Sequence, residues 1–198
     1  MSLRYQATLA AFDQANTQDP NQEISEGTEY PKELLYAQRM SEMQERYAPS
    51  ASEAVKLAVR AQHIQRWKIP RSNYPMDRIG YLQWRTTLYK FHAETAGQIM
   101  QQAGYDEATI SSVKAIVSKK GIKINPDTQL MEDVANLVFI EHYMIGFAAQ
   151  HPEYDEAKWS EIIRKIWKKM SPSAHQFALN GNIKLPKALT PLILKAIH

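Results

Sequence analysis

Apolar residues recur at helical spacing along most of this chain, and that periodicity constrains its fold more than any other feature. Between residues 78 and 103, one narrow helical stripe collects Tyr81, Arg85, Leu88, His92, Ala96, Ile99 and Ala103. No stretch sustains the alternation of apolar and polar residues that marks a strand. The pattern therefore predicts an all-α protein, a bundle of seven or eight helices.

Prolines, glycines and capping residues divide the chain into the predicted helices. The helices are expected to start at or near Arg4, Pro31, Ser50 or Ser52, Arg78, Asp106, Asp127 and Asp155. The third is expected to run to Trp67, and the helix from Asp127 to run to Gln150. A length of 198 residues suits one domain, 1–198, with a loop at 19–31 and a C-terminal extension at 172–198 that adds a short closing helix.

Several classes of function are excluded by what the sequence lacks. Without cysteine, the chain has no disulfides, thiolate metal sites or cysteine nucleophiles, and it fits a reducing cytoplasm. It contains no glycine-rich phosphate loop, no GxSxG and no HExxH. The first residues lack the apolar core of a signal peptide, and the longest apolar run, 137–149, is interrupted by Glu141 and His142. Because that run is too short to span a bilayer, we expect a cytoplasmic protein with no membrane partner.

Basic residues are concentrated in one segment. The chain as a whole has a net charge of +3, whereas seven basic residues and one acid lie between Arg60 and Lys90. Tryptophans and tyrosines are interleaved with them in the stretch HIQRWKIPRSNYPMDRIGYLQWR, residues 63–85. Such a local cluster attracts an anion, while the modest total charge disfavours a nucleic-acid surface. We therefore expect a small phosphorylated or anionic ligand; the sequence leaves the oligomeric state open.

Helical projection indicates which polar residues face inward. His92 and Arg85 lie on the apolar stripe described above, and Asp133 lies among apolar residues of its own predicted helix. The neighbouring Glu132 projects to the opposite, polar side. A buried carboxylate needs a partner, which for Asp133 is an arginine such as Arg85, a histidine or a metal. His63 lies either on ordinary surface or on the wall of a pocket, and His92 is either a hydrogen-bonded core residue or a ligand.

A family resemblance covers most of the chain. The runs PKELLYAQRM, ASEAVKLAVRAQHIQRWKIPRSNYP, GYLQWRTTLYKFHAE, EDVANLVFIEHY and WKKMS resemble the family named domain of unknown function 4202. The resemblance extends from about Asp19 to Ser171. It implies no particular activity.

A second resemblance implies a metal site. The order His63, His92, Asp133 on successive helices is similar to that of the HD-domain phosphohydrolases, all-α proteins that bind a divalent metal through histidines and aspartates. It implies an HD-domain-like fold, metal ligation by His63, His92 and Asp133, and a catalytic role for His92 and Asp133. A nitrogen and oxygen site of this kind suits Mn, Fe, Co, Ni or Zn. The sequence departs from that family at Ala93, where the adjacent acid of its His-Asp pair is expected.

Three functions compete at this stage. The first is an HD-like metal-dependent phosphohydrolase acting on a small phosphorylated molecule such as a nucleotide, because the metal would activate water beside a phosphate. The second is a non-catalytic module that binds a nucleotide or another anionic metabolite, and the third is RNA binding. The expected ligand contacts are Arg66, Arg71 and Arg85 to phosphate, Trp67, Tyr74 or Tyr81 to a planar ring, and Lys119 and Lys120 as further cations.

Overall fold

The computed structural model describes residues 2–197, so Met1 and His198, the ends of the predicted domain, lie outside the described part. The described residues form these ten α-helices: α1 (Leu3–Asn16), α2 (Lys32–Tyr47), α3 (Glu53–Ala61), α4 (Arg78–Gln102), α5 (Glu107–Val117), α6 (Pro126–Val138), α7 (Met144–Gln150), α8 (Glu156–Trp167), α9 (Pro172–Phe177) and α10 (Thr190–Ile197). The predicted helical class is confirmed, although there are more helices than the seven or eight expected.

The segment predicted as the loop 19–31 contains a small hairpin. Strands β1 (Gln22–Ser25) and β2 (Thr28–Pro31) pair antiparallel, with Ser25 opposite Thr28. Glu26 and Gly27 join them with φ values of 51° and 78°, and two positive φ angles are what a tight type I′ turn requires. The prediction of no strands was therefore wrong here. Each strand has only four residues, too few for a period of two to stand out.

The third helix is shorter than its sequence pattern indicates. Ser52 caps α3 as predicted, accepting a hydrogen bond from the Val55 amide at 3.3 Å, but the helix ends at Ala61 instead of Trp67. Gln65 has a left-handed backbone with φ 52°, which breaks the helical path. Short 3₁₀ turns follow at Arg66–Lys68 and Arg71–Asn73. His63 and Arg66 therefore lie in the connection between α3 and α4 and not on a long helix.

A π-helical segment, Phe139–Tyr143, divides the helix predicted between Asp127 and Gln150 into α6 and α7. The helix also starts slightly earlier than expected, at Pro126, because Asn125 accepts hydrogen bonds from the two following free amides. A π-turn inserts an extra residue and rotates the side chains that follow, and such turns are frequent at functional sites.

Buried residues from α1 to α10 form one continuous hydrophobic cluster. Its largest fully buried apolar members are Phe12, Met40, Met43, Leu57, Ile64, Met100, Ile116, Met131, Leu137 and Met144. The segment predicted as an extension, 172–198, contributes Ala174, Ala178, Ile183 and Ile193 to this cluster. In the part of the chain that the structure describes, no helix combines the length and the apolar character needed to cross a bilayer.

Candidate functional site

One cavity of about 850 Å³ opens between the helices. Its walls come from the start of α2, the turn after α3, one side of α4, the end of α5, the π-segment and the flanking helices α6 to α8. Of the residues predicted from sequence to form a site, the cavity wall includes His63, Arg66, Tyr81, Arg85, His92 and Lys119. Predicted site residues that are spread over 57 residues of sequence, from His63 to Lys119, therefore lie around one cavity.

His63 and Arg66 form a hydrogen-bonded pair on the cavity wall. Nη1 of Arg66 donates to Nε2 of His63 at 2.8 Å, and since a guanidinium has no acceptor, Nε2 must be unprotonated. The remaining nitrogen, Nδ1, lies 3.4 Å from a carboxylate oxygen of Glu33. The imidazole also stacks on Tyr36, with ring centroids 4.2 Å apart. Desolvation, reinforced by the Arg66 charge, lowers the pKa of His63 well below its usual value, so the ring is neutral.

Aromatic rings hold the two arginines in position. The Arg66 guanidinium carbon lies 4.9 Å from the ring centroid of Trp84. The Arg85 guanidinium lies 5.6 Å from Tyr81 and 5.3 Å from Tyr89, and it also donates to the Tyr89 hydroxyl. Among the described residues, neither arginine lies within 4.0 Å of a carboxylate oxygen. Each guanidinium therefore keeps hydrogen-bonding capacity for an anion.

His92 lies on the same wall with only 2% of its surface exposed. Its Nδ1 lies 2.8 Å from the Ile64 carbonyl oxygen, which only accepts, so Nδ1 carries the proton and Nε2 is a bare acceptor. Nε2 is the one buried side-chain nitrogen or oxygen in residues 2–197 that has no hydrogen-bond partner within the protein. Burial lowers the pKa of His92 to about 3, with a further contribution from His63, whose ring centroid is 5.9 Å away.

The cavity wall also carries an ion pair. Lys119 Nζ lies 2.5 Å from a carboxylate oxygen of Glu132. Burial acts to raise the pKa of Glu132, but the charge and hydrogen bond of Lys119, together with Lys169 and Asn136, keep the pKa below its usual value. The charge of Lys119 is therefore matched internally, in contrast to the charges of Arg66 and Arg85.

Asp133 does not line the cavity, and its carboxylate is occupied elsewhere. Oδ1 accepts from Gln129 Nε2 and from the Ser171 amide, both at 2.8 Å, while Oδ2 accepts from Ser171 Oγ at 2.6 Å and from the Tyr47 hydroxyl at 3.1 Å. These bonds fix the start of α9 against α6 and α2. The hydrogen bonds of Asp133 therefore stabilise the fold, and its carboxylate does not lie with His63 and His92 on the cavity wall.

The residues present do not fit the metal that the HD-domain resemblance implies. No group of three or more histidine, aspartate or glutamate side chains in residues 2–197 is arranged to hold a metal ion. The pair His63 and His92 lacks a third ligand because the four hydrogen bonds to Asp133 hold its carboxylate in another part of the molecule. A site for Mn, Fe, Co, Ni or Zn needs that additional donor.

Four of the predicted ligand contacts lie away from the main cavity. Arg71 and Trp67 line a smaller neighbouring cavity of about 360 Å³. The Arg71 guanidinium donates to the carbonyl oxygens of Tyr74 at 3.0 Å and Asp77 at 3.2 Å, so it holds its own loop together. Tyr74 lines neither cavity, and neither does Lys120. The two cavities share Lys32, Glu33, Arg66 and Trp84, which places Arg66 at their boundary.

Sequence reasoning missed other residues of the cavity wall. Glu132, Asn136 and Tyr143 line the cavity, whereas helical projection placed them on the polar side of the predicted helix, away from Asp133. Glu33, buried in the first turn of α2, was also missed, and burial raises its pKa while Arg66 opposes that effect. The spacing of Glu132, Asn136 and Tyr143 was the available signal, because a polar stripe suits a cavity as well as bulk water.

The fold and cavity define the class: a helical protein with a basic, aromatic-lined cavity whose wall includes three histidines, His63, His92 and His142. The chain belongs to the family described as Domain of unknown function (DUF4202), whose model matches residues 6–193. The family resemblance read from the sequence is thereby confirmed over nearly the whole chain. No significant match was found among curated proteins or among solved structures. The resemblance to HD-domain phosphohydrolases receives no support from these comparisons and stays a prediction.

Proposed function

We propose that the cavity binds a small phosphate-bearing anion, as a binding site that needs no protein-held metal. The observation that carries this proposal is the presence of Arg66 and Arg85 on one wall with no carboxylate partner among the described residues. Unpaired charges in a partly enclosed site are costly unless a ligand supplies the counter-charge. A phosphate does so with the paired oxygens that a guanidinium fork recognises.

The remaining wall supports a ligand with a planar or apolar part. Rings at the cavity surface are those of Tyr36, Tyr81, Trp84, Tyr89, Phe139, Tyr143 and Phe147. Aromatic side chains of this kind provide stacking surfaces together with hydroxyl donors. A volume of about 850 Å³ lies within the range typical of cavities for small molecules. The size and lining therefore favour an organic phosphate over a bare inorganic anion.

Hydrolysis of the bound phosphate is the second candidate function. The observation that favours it is the neutral state of two imidazoles, His63 and His92, beside the proposed anion site. A neutral imidazole can accept a proton from water or a hydroxyl, although a strongly lowered pKa makes it a weak base. The metal-dependent form of this function would need a ligand set other than His63, His92 and Asp133 in the present arrangement. The absence of cysteine supports a cytoplasmic location as part of the proposal.

Calorimetric titration with inorganic phosphate, phenyl phosphate and ribose 5-phosphate tests the binding proposal. We expect Arg66→Gln and Arg85→Gln each to weaken binding about 10- to 100-fold, since a charge-assisted hydrogen bond contributes about 1.5–3 kcal/mol. Arg78→Gln is the matched control, because Arg78 is exposed in the same basic segment and lines neither cavity. Unchanged affinity in both cavity variants, or no binding of any probe, contradicts the proposal.

Turnover is measured on the same preparations. Release of phosphate from phenyl phosphate, assayed with and without added Mn²⁺, separates hydrolysis from binding alone. Turnover that is lost in His92→Asn and His63→Asn, but kept in Arg78→Gln, supports the enzymatic candidate. Binding without turnover leaves the binding function and rules out hydrolysis of that ester.

A further inference from the structure

The phosphate contacts proposed above leave one buried polar group of the cavity unused. His92 Nε2 is enclosed and lacks a partner, while Nδ1 of the same ring is fixed by the Ile64 carbonyl. That backbone contact sets the tautomer, so Nε2 presents a lone pair and no proton. Leaving a buried acceptor unpaired costs stability, which points to a partner that is brought by the ligand.

The other polar groups near His92 already have partners within the protein. His63 Nε2 accepts from Arg66, and the Glu132 carboxylate is paired with Lys119. Arg66 and Arg85 are donors and cannot satisfy a second donor. His92 Nε2 is therefore the position in this wall that specifically requires a hydrogen-bond donor from a ligand.

We infer that His92 Nε2 accepts a hydrogen bond from a hydroxyl or N–H group on the organic part of the ligand. The inference rests on the proposed function and narrows its ligand to a phosphate ester that carries such a donor, as sugar phosphates and nucleoside phosphates do. Arg66 contacts the imidazole of His63, whose centroid is 5.9 Å from that of His92, so phosphate site and acceptor are separated by less than the length of such a molecule.

The arginines and His92 also disfavour a ligand bound in the reversed orientation, with its phosphate at His92 and its hydroxyl or N–H group at Arg66 or Arg85. An ionised phosphate has only acceptor oxygens, and these are repelled by the lone pair at His92 Nε2. A neutral hydroxyl or N–H group placed against Arg66 or Arg85 supplies no counter-charge and leaves the guanidinium charge unpaired. His92 is thus a specificity-determining residue that fixes the orientation of the bound ligand.

Four probes test the inference by calorimetric titration. Phenyl phosphate carries a ring and a phosphate without a donor, ribose 5-phosphate adds hydroxyls, AMP adds hydroxyls and an amino group, and dideoxy-AMP keeps the amino group alone. We expect a probe with the matching donor to bind about 10-fold or more tightly than phenyl phosphate, as expected for one hydrogen bond to a buried acceptor. Comparison of ribose 5-phosphate with dideoxy-AMP shows whether the donor is a hydroxyl or an N–H.

His92→Asn is the diagnostic variant. Asparagine keeps an N–H near the position of Nδ1, which retains the bond to Ile64, and it lacks the atom at Nε2. We expect the preferred probe to fall to the affinity of phenyl phosphate, while phenyl phosphate itself binds this variant as it binds the unaltered chain. In the unaltered chain, the nitrogen-15 resonance of His92 Nε2 should shift on binding of the preferred probe and not of phenyl phosphate, a readout that does not depend on the variant folding.

The outcomes separate this inference from the proposed function. Equal affinities for all four probes that still depend on Arg66 and Arg85 overturn the role of His92 alone. A preference that persists in His92→Asn, or an unmoved Nε2 resonance, also overturns it. Failure of every probe to bind the unaltered chain overturns the phosphate site and the inference together.

Discussion

Two neighbouring buried acids, Asp133 and Glu132, have roles that helical projection did not indicate. Asp133 projected inward, with an arginine, a histidine or a metal expected as its partner, but its carboxylate anchors the start of α9 through Ser171. Glu132 projected to the opposite, polar side of the helix, and it pairs with Lys119 on the cavity wall. Both carboxylates are buried, at 2% and 5% exposure, so burial alone did not separate a structural role from a site role. The hydrogen-bond and ion-pair partners of each carboxylate distinguish the two roles.

Asp133→Ala should lower the free energy of unfolding by about 2–4 kcal/mol, because it removes the carboxylate acceptor and leaves several buried donors without a partner. Asp133→Asn should cost less, since the Tyr47 and Ser171 hydroxyls can turn to accept from the new amide. Neither change should alter the affinity for phenyl phosphate when measured well below the unfolding midpoint. Urea unfolding and titration of the same samples check both statements. Weaker ligand binding by a fully folded Asp133→Asn would contradict this prediction and show that Asp133 contributes to the ligand site.

At the scale of elements, the sequence predicted the long helices well and the connections poorly. The period of apolar residues locates α2, α4, α5 and α8, because such helices bury one continuous stripe. It does not show that Gln65 adopts a left-handed backbone, which ends the α3 path early and moves Arg66 into the cavity wall. That conformation is set by tertiary contacts, among them the bond from the Gln65 amide to Asn16 Oδ1 at 2.9 Å.

The sequence predicted only part of the site, because it too depends on tertiary packing. His63, Arg66, Arg85 and His92 were found because the basic segment that holds the first three, and the inward-facing side of the helix that holds His92, are visible in one dimension. Projection onto a helix distinguishes polar from apolar sides, but it gives the same answer for a polar cavity and for open solvent. Asn136 was missed on those grounds, and only the packing of α6 against its neighbours shows that its polar side faces an enclosed space.

The connection between α3 and α4 is held in place by a close approach at Gly80. A Cβ added there would lie 2.1 Å from the Pro75 carbonyl oxygen, a distance that forces the backbone to shift. Asp77 also accepts from the Gly80 amide at 2.7 Å, and Trp84 Nε1 donates to the Ile69 carbonyl at 2.8 Å. The start of α4 and the proline-containing loop therefore form one unit that carries Arg66 at its edge.

Gly80→Ala should lower the free energy of unfolding by about 1–3 kcal/mol, as overpacking does, and should weaken phosphate binding by displacing the connection that holds Arg66. Gly146→Ala is the matched control for stability, because that glycine lies in α7 with nothing within 4 Å of an added Cβ. Since Gly146 lines the cavity, this variant is not a control for binding. The control should leave stability unchanged or raise it by up to about 1 kcal/mol. Thermal unfolding compares the two variants, and phenyl phosphate titration compares Gly80→Ala with the unaltered chain. Equal stability of the two alanine variants contradicts the close-approach argument.

At the scale of the whole molecule, the cavity places its histidines where the folded protein resists their protonation. Burial lowers the pKa of His92 to about 3, and desolvation also lowers the pKa of His63. The charged groups facing His92 are His63 and Arg66, which lower its pKa further, and Glu33, which opposes them. A histidine with a folded pKa below its unfolded pKa of about 6.5 makes the unfolded chain bind more protons in acid. Folding therefore loses free energy as the pH falls through that window.

We expect the free energy of unfolding to fall between about pH 6.5 and pH 5, by about 1.4 kcal/mol per pH unit for each such histidine. His92→Asn removes one of these groups, so its stability should decline with a slope shallower by that amount, whatever its stability at neutral pH. His151→Asn is the control, since His151 is partly exposed and contacts Glu153 at the surface. Urea unfolding of the three proteins across this range gives the slopes. Identical slopes for His92→Asn and the unaltered chain would show that His92 is protonated equally in the folded and unfolded states, and would remove the neutral acceptor on which ligand selection depends.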